Sequence, residues 1–170
     1  MHQFTDNATP PRDWAIALNI ATVKRVKSAA IDGGPIDLIE INLGDPPLAL
    51  RLATDPVLLC DVLFCICQPQ AEERGCTDAD FGEGMGGDAI FKAQKALFEE
   101  LVDFFRQLGR TEKANVLTTT EKVIAATVKA AVAETAKLDI EATTSRAVGK
   151  LFTDAQALLE SRLNHTPSAN

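Results

Sequence analysis

The sequence has few of the residues that carry chemistry at neutral pH. It contains no tyrosine, and its two histidines, His2 and His165, lie near the two ends of the 170-residue chain. General acid–base catalysis most often uses a histidine held rigidly in a cleft, which neither position offers. None of the serines lies in a nucleophile-elbow motif. We therefore predict that the protein is not an enzyme and has no catalytic residue.

Basic residues and long apolar runs are scarce as well. The net charge of −7 opposes binding to a phosphate backbone, because such affinity depends on Lys and Arg neutralising phosphates. The longest apolar run, residues 56–67, is interrupted by Asp61 and is far shorter than the ~20 residues that span a bilayer. The first 13 residues are polar, unlike a signal peptide. We expect no nucleic-acid partner, no membrane association and a cytoplasmic location.

The four cysteines are the best candidates for a metal site, but their spacing argues against one. Structural zinc sites usually use pairs spaced C-x2–4-C. Here Cys60 and Cys67 project from one side of an apolar helix and Cys65 from another, while Cys76 follows later. A cytoplasmic protein keeps its thiols reduced, and free cysteine is among the most buried residue types. We predict free core thiols, no metal and no cofactor.

The N-terminal region predicts a small sheet. Apolar residues alternate over residues 13–20, which is typical of a half-buried strand, and Phe4 and Thr5 are expected to pair with it across a turn at residues 6–12. Thr22 is predicted to cap a short helix. Apolar residues alternate again over residues 36–43 and 48–52, which is compatible with further strands of the same sheet.

From Asp55 onward the pattern predicts helices. Asp55 is a good N-cap, Pro56 suits the first helical position, and the helix is apolar enough up to Cys67 to be the buried centre of the fold. Pro69 is expected to kink or break this helix, since proline removes a backbone donor. Gly75 is the predicted end.

A capping pair, Thr77 and Asp80, opens the next predicted helix, which should run to about Phe105. Gly82 and Gly86 lie four residues apart, so we expect a tightly packed face there. An irregular helix start is the alternative, because each glycine costs about 1 kcal/mol of helix propensity. A phosphate loop is excluded, since no strand precedes the glycines and no Lys–Ser/Thr pair follows. The predicted buried stripe consists of Phe81, Met85, Ala89, Ala93, Ala96, Leu97, Leu101 and Phe104.

Two more helices are expected beyond Arg110. The stripe of the first, which begins at Thr111, is Leu117, Ile124, Val128, Ala131 and Leu138. The stripe of the last is Val148, Leu151, Phe152, Ala155, Leu158, Leu159 and Leu163. The first stripe is thin, which suits either pairing with another helix or chain or a surface position with modest packing. Residues 164–170 are expected to be disordered.

These elements together predict an α+β, mainly α protein. A β-rich element at 1–54, with a small hairpin or sheet, packs on a helical bundle. Its central core is 55–109, its long C-terminal helices are 110–163, and 164–170 form a tail. The acidic excess is concentrated at residues 70–109, where the net charge is −5. That excess predicts either a solvated face or the steering of a basic partner.

Nine segments, read in order, resemble the tail assembly chaperones of tailed bacteriophages and prophages, and they cover about residues 4–105. The segments are Phe4-x-Asp6, Trp14–Ile20, Val23–Val26, Ile36–Leu38, Asp55–Leu63, Pro69–Gly75, Asp80–Gly82, Gly87–Ile90 and Glu99–Phe105. No match extends beyond Arg110.

The resemblance implies a binding function in the cytoplasm of a bacterial host cell. Proteins of that family coat the tape measure protein before the tail tube polymerises and are absent from the finished virion. The implied partners are the tape measure protein and the tail tube protein, with self-association and no cofactor. We expect the apolar helix from Pro56 and the glycine-rich helix start to supply a groove for a partner helix. The alternative is a structural virion protein, either a head–tail connector or a tail component.

Overall fold

The computed structural model of the protein describes residues 1–137, except for the side chains of residue 128 and residues 131–137. The described part is mainly helical with a small N-terminal antiparallel sheet, so the predicted α+β, mainly α class is confirmed. The chain divides into two compact units, residues 1–125 and 126–170, and the fold below is that of the first. The elements are β1 (His2–Thr5), β2 (Asp13–Ile16), α1 (Ile20–Ser28), β3 (Ala30–Ile31), β4 (Gly34–Pro35), a 3-10 helix (Leu38–Glu40), α2 (Leu48–Thr54), α3 (Pro56–Arg74), α4 (Asp78–Gly84), α5 (Ala89–Gln107) and α6 (Thr111–Lys137).

The predicted N-terminal hairpin is present, but its second strand is half as long as expected. β1 and β2 pair antiparallel with Phe4 opposite Trp14, and both side chains are buried. The prediction of a strand over residues 13–20 is wrong beyond Ile16, and so is the prediction of Thr22 as the helix cap. The Asn19 Oδ1 atom accepts a hydrogen bond from the Thr22 N–H at 3.0 Å, so the helix begins earlier and ends the extended segment.

The strands considered for residues 36–52 are not formed. Asp37 caps a 3-10 helix through the Ile39 N–H, and residues 48–54 form α2. Leu48 and Leu52 are buried whereas Leu50 is 39% exposed, so the burial follows a helical period rather than alternation. The apolar run is too short for periodicity alone to separate the two structures.

Helix α3 begins and ends where the sequence predicts, but Pro69 does not end it. Asp55 accepts hydrogen bonds from two backbone N–H groups at the helix start, and Gly75 ends the helix with a φ of 62°. Pro69 lacks the N–H that the Cys65 carbonyl would accept within the helix. Arg25 Nη1 of α1 donates to that carbonyl at 3.1 Å and to the Ile66 carbonyl at 3.3 Å. A neighbouring helix therefore replaces the missing donor.

The single helix predicted from Thr77 to Phe105 is two helices, α4 and α5. The Thr77–Asp80 capping box is present and opens α4. The chain turns at residues 85–88, where Gly87 has a φ of 63°, and α5 begins at Ala89. Every residue of the predicted buried stripe from Phe81 to Phe104 is buried.

The start of α6 belongs to the core of the first unit. Ala114 and Leu117 are buried, Ile124 is half-buried, and Lys113 Nζ contacts the Ile39 carbonyl and lies 3.3 Å from Glu40 Oε2. The stripe positions 128, 131 and 138, the predicted last helix and the predicted tail at 164–170 lie outside the described side chains. No helix in the described part is both long and apolar enough to cross a membrane.

Candidate functional site

The four cysteines lie in the hydrophobic core or pack against it. All four are free, with Cys67 buried and the other three half-buried. Burial raises the pKa of Cys67 to about 12, and burial with the charge of Asp61 raises the pKa of Cys60 to about 11. These two thiols stay protonated at neutral pH, which makes them poor nucleophiles. Among the side chains that the structure describes, no group of His, Cys, Asp and Glu is placed to hold a metal ion.

The glycine-rich segment packs closely at a different residue from the two predicted. A Cβ atom on Gly82 would meet nothing within 4 Å, and one on Gly86 would meet only a carbonyl oxygen at 3.8 Å. The prediction of a tight Gly82/Gly86 face is therefore wrong. A Cβ atom on Gly84 would lie 2.7 Å from Arg12 Nη2 and 2.8 Å from Asp6 Oδ2. Gly84 is the position that lets the N-terminal loop approach α4.

Asp6 is the centre of a buried polar cluster that holds this loop, and we call it the Asp6 cluster. Its Oδ2 atom accepts hydrogen bonds from Arg12 Nε at 2.6 Å and from Trp14 Nε1 at 2.9 Å. The Arg12 guanidinium also donates to Cys76 Sγ at 2.9 Å and to the Asp80 carbonyl at 2.7 Å. The cluster thus ties the hairpin to α4 and to the segment before it.

The electrostatics of Asp6 fit a structural role. Burial alone would raise the pKa of its carboxyl, but the hydrogen bonds from Trp14 and Arg12 outweigh burial and lower the pKa. Glu100 of α5 is a second buried acid, and it accepts the backbone N–H groups of His2 at 3.0 Å and Leu18 at 3.1 Å. No buried side-chain polar atom lacks a partner among the residues described. Both carboxylates therefore have their hydrogen-bond partners within the fold.

An apolar furrow, built of three adjoining depressions, lies on the surface of the described part of the chain. The first, of about 340 Å³, lies between the start of α3 and α4. The second, of about 400 Å³, lies between α2, α3 and α5, and shares Pro56 and Ile90 with the first. The third, of about 380 Å³, lies between α5 and α6, and shares Phe91 and Gln94 with the second. We call the three together the furrow.

Two large apolar side chains of the furrow region are open to water. Phe91 on α5 and Val57 on α3 are each 69% exposed. Phe91 follows the buried Ala89 by two positions, which places it on the opposite face of the helix. Its side chain therefore remains mostly uncovered in the described part of the chain.

The charges along the furrow are unevenly distributed. Asp61 and Asp78 line the first depression, and neither forms an ion pair with any described residue. Burial raises the pKa of Asp61, and the charge of Asp78 raises it further. The third depression is mixed, because its charged residues are Lys95, Glu99, Glu121 and Lys122.

Comparisons with protein-family models, with curated proteins and with solved structures found no match.

The surface geometry of the protein is therefore the basis for inferring its function. The two segments named from the sequence as a groove, the start of α3 and the glycine-rich helix, do line one depression together. The extension onto α2, α5 and α6 was missed because it depends on tertiary contacts. Phe91 was the residue in the sequence that could have indicated this surface, because it is a large aromatic residue outside the buried stripe of an amphipathic helix. The furrow offers an apolar surface with charged side chains at both ends.

Proposed function

We propose that the protein is a tail assembly chaperone of a tailed bacteriophage or prophage. In this role it binds apolar helical segments of the tape measure protein and keeps that protein soluble before the tail tube polymerises. It acts in the cytoplasm of the bacterial host cell, self-associates on its partner and performs no catalytic step. The resemblance over residues 4–105 supports this proposal, and the exposed apolar furrow is the single observation that carries it.

The furrow supports a helix-in-groove mode of binding. Complete burial of a Phe or Val side chain contributes about 1.5–3 kcal/mol, so covering Phe91 and Val57 gives one site only modest affinity. A long helical partner offers many such sites, and several bound copies raise the overall affinity through multivalency. Weak single contacts also suit a chaperone that has to be released when the tube forms.

Co-expression with the tape measure protein of the same prophage tests the proposal. We expect the wild-type chain to raise the soluble fraction of that protein and to co-purify with it in several copies. Phe91→Ser should abolish both effects. Leu43→Ser is the matched control, because Leu43 is 57% exposed and lies outside the furrow.

The competing function is that of a structural virion protein, either a head–tail connector or a tail component. The composition of purified particles distinguishes it from a chaperone. A chaperone should be absent from purified particles, whereas a connector or tail component should be present in many copies. Mass spectrometry of purified particles measures this directly. Abundant copies of this chain in particles, together with no co-purification with the tape measure protein, would favour the structural virion protein over the chaperone.

A further inference from the structure

The first depression of the furrow combines an apolar surface with two uncompensated negative charges. Asp61 of α3 and Asp78 of α4 lie beside Val57, Met85 and Ile90. No Lys or Arg lines this depression. The apolar side chains indicate what kind of surface the depression binds, and the two carboxylates indicate which charge that surface carries.

The carboxylates of Asp61 and Asp78 differ in how strongly they indicate a binding site. Asp78 lies in the first turn of α4, where a negative charge is favourable in any case. Asp61 lies within α3, and neither a cap nor an ion pair in the described part accounts for it. Burial raises the pKa of Asp61, as do the neighbouring charges of Asp78, Asp55 and Asp32. A charged Asp61 that is partly buried near other acids lowers the stability of the free protein. A cation from a partner would offset this loss.

The other nearby acids are already in use. Asp55 caps α3, accepting the N–H groups of Val57 and Leu58 at 3.0 Å each. Asp32 forms a salt bridge with Arg51 at 2.5 Å. Asp61 and Asp78 are thus the two acids at this end of the furrow that remain open to a cation from outside.

We propose that the furrow binds an amphipathic helix of a partner protein, with a Lys or Arg side chain of that helix meeting Asp61 and Asp78. The inference rests on the proposed function for the kind of occupant, and adds the charge that this occupant carries at one end of its apolar stripe. The cationic end of the helix is expected at Asp61 and Asp78, because the far end of the furrow carries Lys95 and Lys122 as well as acids.

The size of the furrow matches a short helical segment. From Ile90 to Glu99 the furrow follows α5 for a length of roughly 14 Å, at about 1.5 Å per residue. A partner helix covers that length in between two and three turns. Its contacts would be apolar residues at i, i+3, i+4 and i+7, with the cation one turn beyond the stripe.

Gly82 gives a way to block the furrow without disturbing the fold. It lines the first depression, and a side chain there would meet nothing within 4 Å. Gly82→Leu therefore projects into the furrow rather than into the core. Gly82→Ala is the matched small substitution, which should bind normally.

The experiment uses three designed 18-residue helical peptides with one fluorescent label and an identical leucine stripe. They carry two lysines before the stripe, two lysines after it, or two glutamates in place of the lysines. We expect the lysine peptides to bind the full chain about three- to tenfold more tightly than the glutamate peptide. Fluorescence anisotropy measures the three affinities.

Substitutions assign the effect to the carboxylates. Asp61→Asn should reduce the preference for the lysine peptides over the glutamate peptide while leaving the melting temperature unchanged or higher. Glu73→Gln, an exposed position on the same helix, is the control for net charge and should keep the preference. Gly82→Leu should weaken binding of all three peptides.

Three results would overturn the inference: no peptide binding, equal binding of the lysine and glutamate peptides, or an Asp61→Asn variant that keeps the full preference. The proposed function fails separately. If the chain still solubilises the tape measure protein through Phe91 while the lysine and glutamate peptides bind equally, the proposed chaperone function stands and the proposed charge of the partner is wrong. The furrow could instead be covered by a second copy of this chain. A dimer in sedimentation that Gly82→Leu dissociates would show this, and it would overturn the partner helix as the occupant.

Discussion

The Asp6 cluster and the acidic end of the furrow use the same residue type in opposite ways. Asp6 is fully buried, yet Arg12 and Trp14 donate to it and its pKa is lowered. Asp61 is only half-buried, yet no described group donates to its side chain and its pKa is raised. A carboxylate that the fold satisfies holds the structure together. A carboxylate that the fold leaves unsatisfied is available for binding.

The two regions differ in their apolar residues as well. Beside the Asp6 cluster, Trp14 and Phe81 are completely buried, with ring centroids 4.9 Å apart. Along the furrow, Phe91 and Val57 remain mostly exposed. Removing a group from the first region should therefore damage the fold, whereas removing one from the second should damage binding. Four predictions follow from this contrast, in order of decreasing effect on stability.

Asp6→Ala should give the largest loss of stability. It leaves the Arg12 guanidinium and the Trp14 indole N–H without their buried acceptor, and breaking a buried pair in this way costs about 3–5 kcal/mol. Urea unfolding followed by Trp14 fluorescence measures the change. Asp13→Ala, at an exposed aspartate of the same hairpin, is the control and should cost less than about 1 kcal/mol. Equal losses for the two variants would show that the cluster is not the anchor of the hairpin.

Alanine at two glycines of α4 should change stability in opposite directions. At Gly84 the new Cβ atom meets Arg12 and Asp6, which cannot move aside without breaking their hydrogen bonds, so we expect a loss of about 1–3 kcal/mol. At Gly82 the space is open, and the higher helix propensity of alanine should add up to about 1 kcal/mol. The unfolding midpoints of the two variants check this. A stabilised Gly84→Ala variant would contradict the described approach of the loop to α4.

The pH dependence of stability should also have opposite signs in the two regions. The folded pKa of Asp6 lies below its ordinary value of 3.8, so its contribution is complete above pH 3.8 and is lost as the pH falls through the folded pKa. The folded pKa of Asp61 lies above 3.8, so its charge destabilises the protein above that folded pKa and has no effect below 3.8.

Asparagine variants isolate these two effects from the other titrating groups. On acidification, the stability deficit of Asp6→Asn relative to wild type should shrink as the pH falls through the folded pKa of Asp6. The stability gain of Asp61→Asn should be present at neutral pH and disappear by pH 3.8. Thermal melts of the three proteins between pH 3 and pH 7 give both differences. Parallel curves for the two variants would remove the distinction between the regions.

Phe91→Ser should have the smallest effect on stability, within about 0.5 kcal/mol, because the side chain is mostly exposed. Its effect should appear in solution behaviour instead, as weaker binding of an apolar dye and of the partner helix. Phe98→Ser is the contrasting variant on the same helix, since Phe98 is buried and its loss should cost about 3–5 kcal/mol. A large stability loss for Phe91→Ser would mean that the furrow is part of the core.

Local signals in the sequence predicted the helices best. Asp55, Gly75 and the Thr77–Asp80 pair act on backbone groups within four residues, and each has its predicted role. The alternation at residues 36–52 was misleading because a strand needs a distant partner, which a short apolar run does not reveal. The furrow combines residues from five helices, so only the tertiary contacts bring Asp61 and Asp78 to one end of it.

Gly84 shows the same limit at a single residue. Nothing in the glycine-rich segment distinguishes it from Gly82, and helical spacing favoured Gly82 and Gly86. The distinction arises from Arg12, which lies more than 70 positions away in the chain and reaches over α4. Packing of this kind is decided by the partner segment rather than by the glycine's own neighbours.

The Arg25 contact with α3 bears on the stability of that helix. The Cys65 carbonyl, for which Pro69 offers no N–H, receives a donor from α1, so an isolated α3 peptide would have a weak point in the turn before Pro69. Capping at Asp55 supports the first turns of α3 without α1, and we expect the second half of α3 to gain stability when α1 docks on it. Arg25 thus makes part of the stability of α3 dependent on a helix that precedes it in the chain.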